Sequence, residues 1–262
     1  MATPTRIPLL FGTMTLGFPG KNGVRISDRE ECQKVIDVFL NHGHKELDTA
    51  RVYGDGTTEE MMSQLDLKDA VIDTKVHPGS GGGHSPQALR SAFETSLKSL
   101  GRKKVRVLYL HMPDRTVPFE ETVEEINKLY EEGLLGGFFA GKVSSLSESA
   151  SVEGRFNPKG DALSQMYRAR YLKSGYLDAL ELLKGVANAH GLRLTEIALR
   201  WCQHHSLLTP EDGIILGASS AEQLQQNCED SKKGPLPDEV IRALDEANRL
   251  VIASGSSPRY WR

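Results

Sequence analysis

The first half of the chain is a regular alternation of short apolar segments and amphipathic segments, and this rhythm constrains the fold more than any other feature. The spacing predicts strands over residues 7–11, 46–50, 70–76 and 105–111, alternating with helices over residues 29–41, 58–65, 85–100 and 119–132. Four strand–helix units within about 130 residues favour a parallel sheet or barrel.

The alternation breaks in the second half. Residues 144–159 are polar and predict a surface loop, and residues 213–217 predict one further short strand. Helices are predicted over residues 161–173, 175–189, 194–205, 220–230 and 237–251. The chain has the ~250 residues that an eight-stranded barrel usually needs, but the pattern supplies only five or six strands. We expect one domain over residues 1–262.

Four polar residues lie at or just beyond the ends of successive predicted strands: Asp48, Tyr53, Lys75 and His111. The carboxyl ends of parallel strands meet at one edge, so these side chains should converge. A tyrosine donates a proton near neutral pH only if a nearby cation lowers its pKa from about 10. Lys75 could be that cation and Asp48 could keep it charged, while His111 orients the group that receives the proton. This set indicates carbonyl reduction.

Several segments together resemble the aldo-keto reductase superfamily. They are LLFGTMTLG, ELDTARVYGDG, DTKVHP, LYLHMPDR and ILGASSAEQLQQNCE. The segments HMPD, LLGGFFAGK, GRF, MYRARY and PRYWR are most similar to the aflatoxin-aldehyde reductase type. The resemblance implies a TIM-type (β/α)8 barrel and NADPH-dependent reduction of an aldehyde or ketone, with Tyr53 as the proton donor.

The resemblance also implies a cofactor site that lacks a GxGxxG loop. The segment that matches ILGASSAEQLQQN holds the adenosine 2′-phosphate end in the family, and a loop that enters a helix N-terminus suits a phosphate. The implied cofactor-binding residues are Asp48, Lys142, Arg155, Gly217, Ser219, Ser220, Gln223, Gln226 and Asn227. Many relatives have an arginine where Gln223 stands, and Lys142 and Arg155 resemble the cations of this subgroup.

The family pattern fails after residue 133. The segment LYEEG runs directly into LLGGFFAGK, which resembles the loop after the seventh strand of the family. Two or more strand–helix units are therefore missing, including those that hold the nicotinamide ring, and we expect an incomplete barrel. In that barrel residues 214–216 should pair beside residues 7–11, and residues 134–140 could cover the exposed edge of the fourth strand.

The composition narrows the function classes. The 32 basic and 35 acidic residues nearly balance, which argues against a nucleic-acid partner, and no apolar run is long enough to span a membrane. Three scattered cysteines, Cys32, Cys202 and Cys228, indicate thiols in a reducing cytoplasm rather than disulfides or zinc ligands. We expect a small-molecule carbonyl substrate and no bound metal. The sequence leaves a homodimer open.

Two alternatives to an active reductase remain. The first is a truncated reductase-like protein that keeps partial cofactor binding or a structural role without turnover. The second is a metal-dependent barrel hydrolase, which is weakly supported because no triad of metal ligands is evident.

Overall fold

The computed structural model describes residues 5–79, 81–140 and 171–256. Its strands are β1 (Leu9–Gly12), β2 (Glu46–Asp48), β3 (Val71–Val76), β4 (Val105–Leu110), β5 (Leu135–Ala140) and β6 (Ile214–Gly217). Its helices are α1 (Arg29–Asn41), α2 (Thr57–Met62), α3 (Pro86–Leu100), α4 (Phe119–Glu131), α5 (Ser174–Ala189), α6 (Leu194–His204), α7 (Ala221–Asp230) and α8 (Asp238–Ala253). Short 3₁₀ turns follow β1 and precede α2, at Thr13–Thr15 and Tyr53–Gly56.

The six described strands form one sheet in the order β5-β4-β3-β2-β1-β6, and every neighbouring pair is parallel. The first four units therefore follow the order along the chain, as their alternating sequence predicts. Because all strands are parallel, their carboxyl ends lie at one edge of the sheet, which is where Asp48 and His111 end β2 and follow β4.

The outer strands of the sheet, β5 and β6, lie where an incomplete barrel that lacks its middle strand–helix units would place them. The strand β6 pairs with β1, with Leu9 opposite Ile214 and Gly12 opposite Gly217. The strand β5 pairs with β4, with Val105 opposite Leu135. The predicted pairing of residues 214–216 beside residues 7–11 is confirmed. For the edge of the fourth strand the sequence left two alternatives, an exposed edge or cover by residues 134–140, and the structure has the second. The segment that resembles the loop after the seventh strand of the family thus occupies the position beside β4 that a fifth strand would take.

The helix α4 shows what this shortening leaves uncovered. On one flank, Arg90 of α3 forms ion pairs with Glu125 at 2.5 Å and with Glu132 at 2.7 Å. On the other flank, Phe119, Val123 and Tyr130 are 57%, 50% and 54% exposed. They follow i, i+4, i+11 spacing and form one apolar stripe.

The chain forms two compact units. The first contains the six-stranded sheet and is built around large buried side chains, among them Phe11, Phe39, Phe93 and Leu108. The second contains α5, α6 and α8, with a core of Ala187, Ile197, Leu236 and Val240. The expectation of one domain over residues 1–262 stays a prediction. In the described ranges, no helix combines the length and apolar character required to cross a membrane.

Candidate active site

The strand ends bring the four predicted polar residues together in the first unit. Asp48 is the last residue of β2, Lys75 lies one residue before the end of β3, and His111 follows β4 directly. The backbone N–H of His111 donates to the carbonyl of Val76 at 2.9 Å, which extends the β3–β4 ladder by one residue. The convergence expected from the strand pattern is therefore present.

Lys75 is the centre of the cluster. Its ammonium nitrogen Nζ donates to Asp48 Oδ2 at 2.5 Å, to the Thr49 carbonyl at 2.9 Å and to the Tyr53 hydroxyl at 3.3 Å. The lysine and aspartate side chains are only 2% and 3% exposed. Burial lowers the pKa of Lys75, but the charges of Asp48 and Tyr53 outweigh it and leave that pKa above its ordinary value. The ammonium therefore stays charged at neutral pH.

Opposing effects act on the pKa of Asp48, the ion-pair partner of Lys75. Burial raises the pKa of Asp48, while the charge and hydrogen bond of Lys75 and the charge of Arg106 lower it. The second carboxylate oxygen, Oδ1, is buried without a hydrogen-bond partner among the described residues. An unsatisfied buried carboxylate oxygen is costly, so it marks a place for a hydrogen-bond donor from a bound molecule.

A strained turn presents Tyr53 to the lysine. Gly54, Asp55 and Gly56 all have positive φ, at 55°, 54° and 95°. A Cβ at Gly56 would lie 1.9 Å from an Nη atom of Arg51. Arg51 in turn forms an ion pair at 2.7 Å with Glu59, which is fully buried. Glycine at position 56 is thus required both by the backbone and by the guanidinium packed on it.

His111 is held in a ring cluster as a neutral base. Its ring lies edge-on to Tyr53 with 5.7 Å between centroids, and His77 lies edge-on to His111 at 5.5 Å. Burial, then the charges of Lys75 and His77, lowers the pKa of His111 from 6.5 to about 4. His111 Nδ1 is buried and has no partner among the described residues. A neutral imidazole beside the tyrosine can hydrogen-bond a carbonyl oxygen without competing for the proton.

Sequence reasoning missed a second charged group next to this cluster. Asp73 is fully buried, and Arg106 donates to its Oδ1 at 2.9 Å and also to its Oδ2. Arg106 also contacts Glu46 at 2.9 Å. The two-residue period of a strand could have identified Asp73, because it precedes Lys75 by two residues and therefore lies on the same face of β3.

The predicted phosphate-binding segment forms a loop and a helix start at the end of β6. The amide N–H of Gln223 donates to Ser220 Oγ at 3.2 Å, and the Gln223 side-chain oxygen accepts from the Ser219 N–H at 2.7 Å. This arrangement resembles a capping box. The loop is fixed by Thr15, whose hydroxyl donates to the Ala218 carbonyl at 2.6 Å, and by Asn227, whose amide donates to the Gly217 carbonyl at 3.3 Å.

The residues present fit one half of a nicotinamide dinucleotide better than the other. The loop of residues 217–220 enters the first turn of α7, where backbone N–H groups and the helix dipole favour a phosphate. Gln226 lies in the second turn of the same helix. Lys142 and Arg155 lie outside the described residues. The expectation that the segments holding the nicotinamide ring are missing from this chain stays a prediction.

A surface depression of about 610 Å³ lies in the loop between β4 and α4 and contains none of the four clustered residues. Among its lining residues are Arg115, Pro118 and Phe119. It is open to solvent and lacks a buried titratable group, so the cluster around Lys75 remains the better candidate site.

Comparison with known proteins identifies relatives over nearly the whole chain. The model of the aldo/keto reductase family matches residues 8–138 and 135–249. Aflatoxin B1 aldehyde reductase member 2 of Mus musculus is 30% identical over 336 residues, covering 99% of this chain and 89% of that protein. Aldo-keto reductase pigE of Monascus ruber is 28% identical over 329 residues, covering 95% of this chain and 96% of that protein.

Solved structures agree on the fold. A thermostable aldo-keto reductase, Tm1743, matches with a TM-score of 0.65 at 22% identity, covering 94% of this chain and 99% of that chain. The glycerol dehydrogenase AKR11B4 of Gluconobacter oxydans also matches at 0.65, with 19% identity, covering 100% of this chain and 97% of that chain. The fold is therefore the TIM-type α/β barrel of aldo-keto reductases, represented by six strands in the described residues.

The same comparisons locate the missing segment. The alignment with the mouse reductase is 336 residues long, whereas this chain has 262, so residues of the relative stand opposite gaps. The two matches to the family model meet at residues 135–138, inside β5. This position agrees with the break that the sequence motifs place after residue 133.

We expect His111 to stay neutral far below the pH at which a free histidine is protonated. The unfolded chain binds this proton near pH 6.5 and the folded chain only near pH 4. Stability from this residue is therefore complete above about pH 6.5 and falls as the pH decreases toward 4, by up to about 3 kcal/mol. A ring NMR titration, assigned with His111→Asn, measures the midpoint.

Denaturant unfolding of parent and His111→Asn across this pH range isolates the contribution of the histidine. Burial also raises the pKa of Asp73 to about 6, with the opposite effect on stability, but Asp73 is present in both proteins. A His111 midpoint near 6.5, or parallel stability curves for the two proteins, would show that the ring is not held neutral.

Proposed function

The chain belongs to the aldo/keto reductase family, and on that premise we propose that it reduces an aldehyde or ketone to an alcohol with NADPH. The observation that carries this proposal is the buried ammonium of Lys75, held between Asp48 at 2.5 Å and the Tyr53 hydroxyl at 3.3 Å. A buried, charged lysine in contact with a phenol is the arrangement that general acid catalysis by tyrosine requires.

Each residue then has one role in the proposed reaction. The cofactor, when bound, supplies a hydride for the carbonyl carbon. Tyr53 donates the proton that the carbonyl oxygen gains, and solvent restores that proton afterwards. Lys75 stabilises the phenolate that remains, Asp48 keeps Lys75 charged, and neutral His111 orients the carbonyl oxygen beside Tyr53.

We also propose how the chain holds NADPH. The adenosine 2′-phosphate end is assigned to Gly217, Ser219, Ser220, Gln223, Gln226 and Asn227, with Lys142 and Arg155 as the cations. The start of α7 supports this assignment, since the helix dipole favours an anion there and Thr15 holds the preceding loop in place. Asp48 is assigned to the nicotinamide end, where its unpartnered Oδ1 could accept a hydrogen bond.

A specific observation favours a second candidate function, binding without turnover. The alignment with the mouse reductase spans 336 residues against 262 in this chain, and the resemblance places the segments that hold the nicotinamide ring in the missing part. Hydride transfer requires the reacting atoms within about 3–3.5 Å. A protein that retains the adenosine half of the site alone would bind NADPH and would not oxidise it. Measuring NADPH oxidation with a simple aldehyde separates the two functions.

The proposal extends to location and assembly. Cys32, Cys202 and Cys228 are thiols rather than disulfides, which fits a reducing cytoplasm. The outer edge of β5 pairs with no other strand in the described part of the chain, and the exposed apolar stripe of α4 lies on the helix that packs beside it. A second copy related by two-fold symmetry could cover both features, and we propose a homodimer.

Replacing Tyr53 with phenylalanine should lower kcat for carbonyl reduction by ~10²–10⁴-fold, because the proton donor is lost. NADPH affinity should stay within about twofold of the parent, since the ring is retained. Tyr109→Phe is the matched control, because its ring also faces Lys75, at 5.9 Å from Nζ. The control should keep most of the activity. A Tyr53→Phe protein with more than half of the parent kcat would exclude Tyr53 as the donor.

NADPH should bind more tightly than NADH, because a charge-assisted contact to the 2′-phosphate contributes roughly 1.5–3 kcal/mol, or ~10–100-fold in Kd. Fluorescence titration with both cofactors measures the difference. Arg155→Ala should weaken NADPH binding and leave NADH binding unchanged, whereas Ser220→Ala should weaken both by removing the cap of α7. Equal dissociation constants in the parent would refute the assignment of a 2′-phosphate site.

The proposed homodimer should dissociate when a charge enters the stripe of α4. Val123→Glu places a carboxylate on the exposed apolar surface, and light scattering after gel filtration should then report a monomer. Leu207→Glu is the control, since Leu207 is fully exposed and lies outside α4. A parent protein that is monomeric at all concentrations, or a dimer that survives Val123→Glu, would contradict this interface.

A further inference from the structure

A second ion pair adjoins the Asp48–Lys75 pair. Asp73 is fully buried and is the register partner of Asp48 across the β2–β3 ladder. It is also two residues from Lys75 on β3, so both side chains leave the strand on one face. Arg106 donates to both oxygens of Asp73 and, at 2.9 Å, to Glu46. The two pairs therefore share one electrostatic environment.

The charges in this environment come from three neighbouring strands. Glu46 and Asp48 lie on β2, Asp73 and Lys75 on β3, and Arg106 and Tyr109 on β4. The remaining titratable groups next to Lys75 are Tyr53, His111 and, beyond His111, His77. Three carboxylates thus face two cations, and Glu46, which is 31% exposed, is partly compensated by water.

Each ion pair also acts electrostatically on a member of the other pair. The charge of Arg106 acts on Asp48, and the charge of Asp48 acts on Asp73. Arg106 is 36% exposed and reaches inward to a carboxylate that is not exposed at all. A fork of two N–H donors on one carboxylate is a geometry that lysine cannot reproduce.

We propose that the Asp73–Arg106 ion pair is a positioning element for Tyr53. It neutralises the buried carboxylate nearest to Asp48, so that Asp48 is the only carboxylate that offsets the charge of Lys75 beside the phenol. The proposal rests on the proposed function in that it treats Tyr53 as the proton donor. It assigns to Arg106 and Asp73 an effect on proton affinity, transmitted through space to the lysine and the tyrosine.

This role makes the sign of each change predictable. Asp73→Asn leaves Arg106 charged, with the partly exposed Glu46 as its remaining ionic partner, and the loss of one buried negative charge favours the Tyr53 phenolate. The midpoint of Tyr53 ionisation should then fall by about half a pH unit or more, because a change of one unit charge in a protein interior acts through space on neighbouring titratable groups. The double variant Asp73→Asn/Arg106→Gln removes both charges and should return the midpoint to near that of the parent.

The experiment measures the ionisation of Tyr53 without requiring turnover. Each protein is titrated by the ultraviolet absorbance of phenolate, and the same background carrying Tyr53→Phe is subtracted to remove the other six tyrosines of the chain, which has seven. Asp69→Asn is the matched control, because Asp69 pairs with Lys45 on the surface, where solvent screens the same change of charge. Its midpoint should match that of the parent.

The outcomes separate an electrostatic role from a structural one. A lower midpoint in Asp73→Asn that the double variant restores supports the proposal, because the ion pair remains broken in the double variant. An unchanged midpoint in Asp73→Asn, or a double variant that behaves like Asp73→Asn, would overturn it. If the parent fails to oxidise NADPH with any aldehyde, the proposed function fails, while the phenolate titration still decides this inference.

Discussion

The buried ion pair between Asp48 and Lys75 is the interaction on which the rest of the site depends. Both side chains are almost fully removed from water, at 3% and 2% exposure, and burying two charges is favourable only when geometry and further hydrogen bonds compensate their lost hydration. The carbonyl of Thr49 supplies one such bond at 2.9 Å. Removing either partner would leave an uncompensated buried charge. Because Asp48 lies on β2 and Lys75 on β3, the ion pair also requires these two strands to be direct neighbours.

The shortened middle of the chain divides the molecule into a preserved part and an altered part. The strands β1 to β4 keep the order and the parallel register that place polar side chains at one edge. Beyond β4, the segment Leu135–Ala140 takes the next position in the sheet, although its sequence resembles the loop after the seventh strand of the family. An unpaired edge is costly and prone to aggregation, and any parallel segment that supplies backbone N–H and C=O groups can cover it.

Particular residues show how far the sequence alone predicts this molecule. The boundaries of α1 follow from its apolar spacing, and Asp28 caps it by accepting from the Glu31 N–H at 3.0 Å. Ser85 was equally suited to cap α3, yet its side chain makes no capping bond and instead donates to the Gly82 carbonyl at 2.7 Å. Local patterns thus predict where elements lie, whereas competing partners nearby decide what each polar side chain contacts.

By itself, the sequence determined the strand–helix alternation and the strand ends that carry Asp48, Lys75 and His111, because these follow from local periodicity and spacing. The break after residue 133 came from the resemblance to the family. Only the tertiary structure decided between an exposed β4 edge and its cover by β5, and only it showed that Arg106 donates to both oxygens of buried Asp73 and that α4 exposes Phe119, Val123 and Tyr130. Those outcomes depend on residues distant in the chain. Burial and hydrogen-bond satisfaction are properties of the packed molecule, which no local pattern encodes.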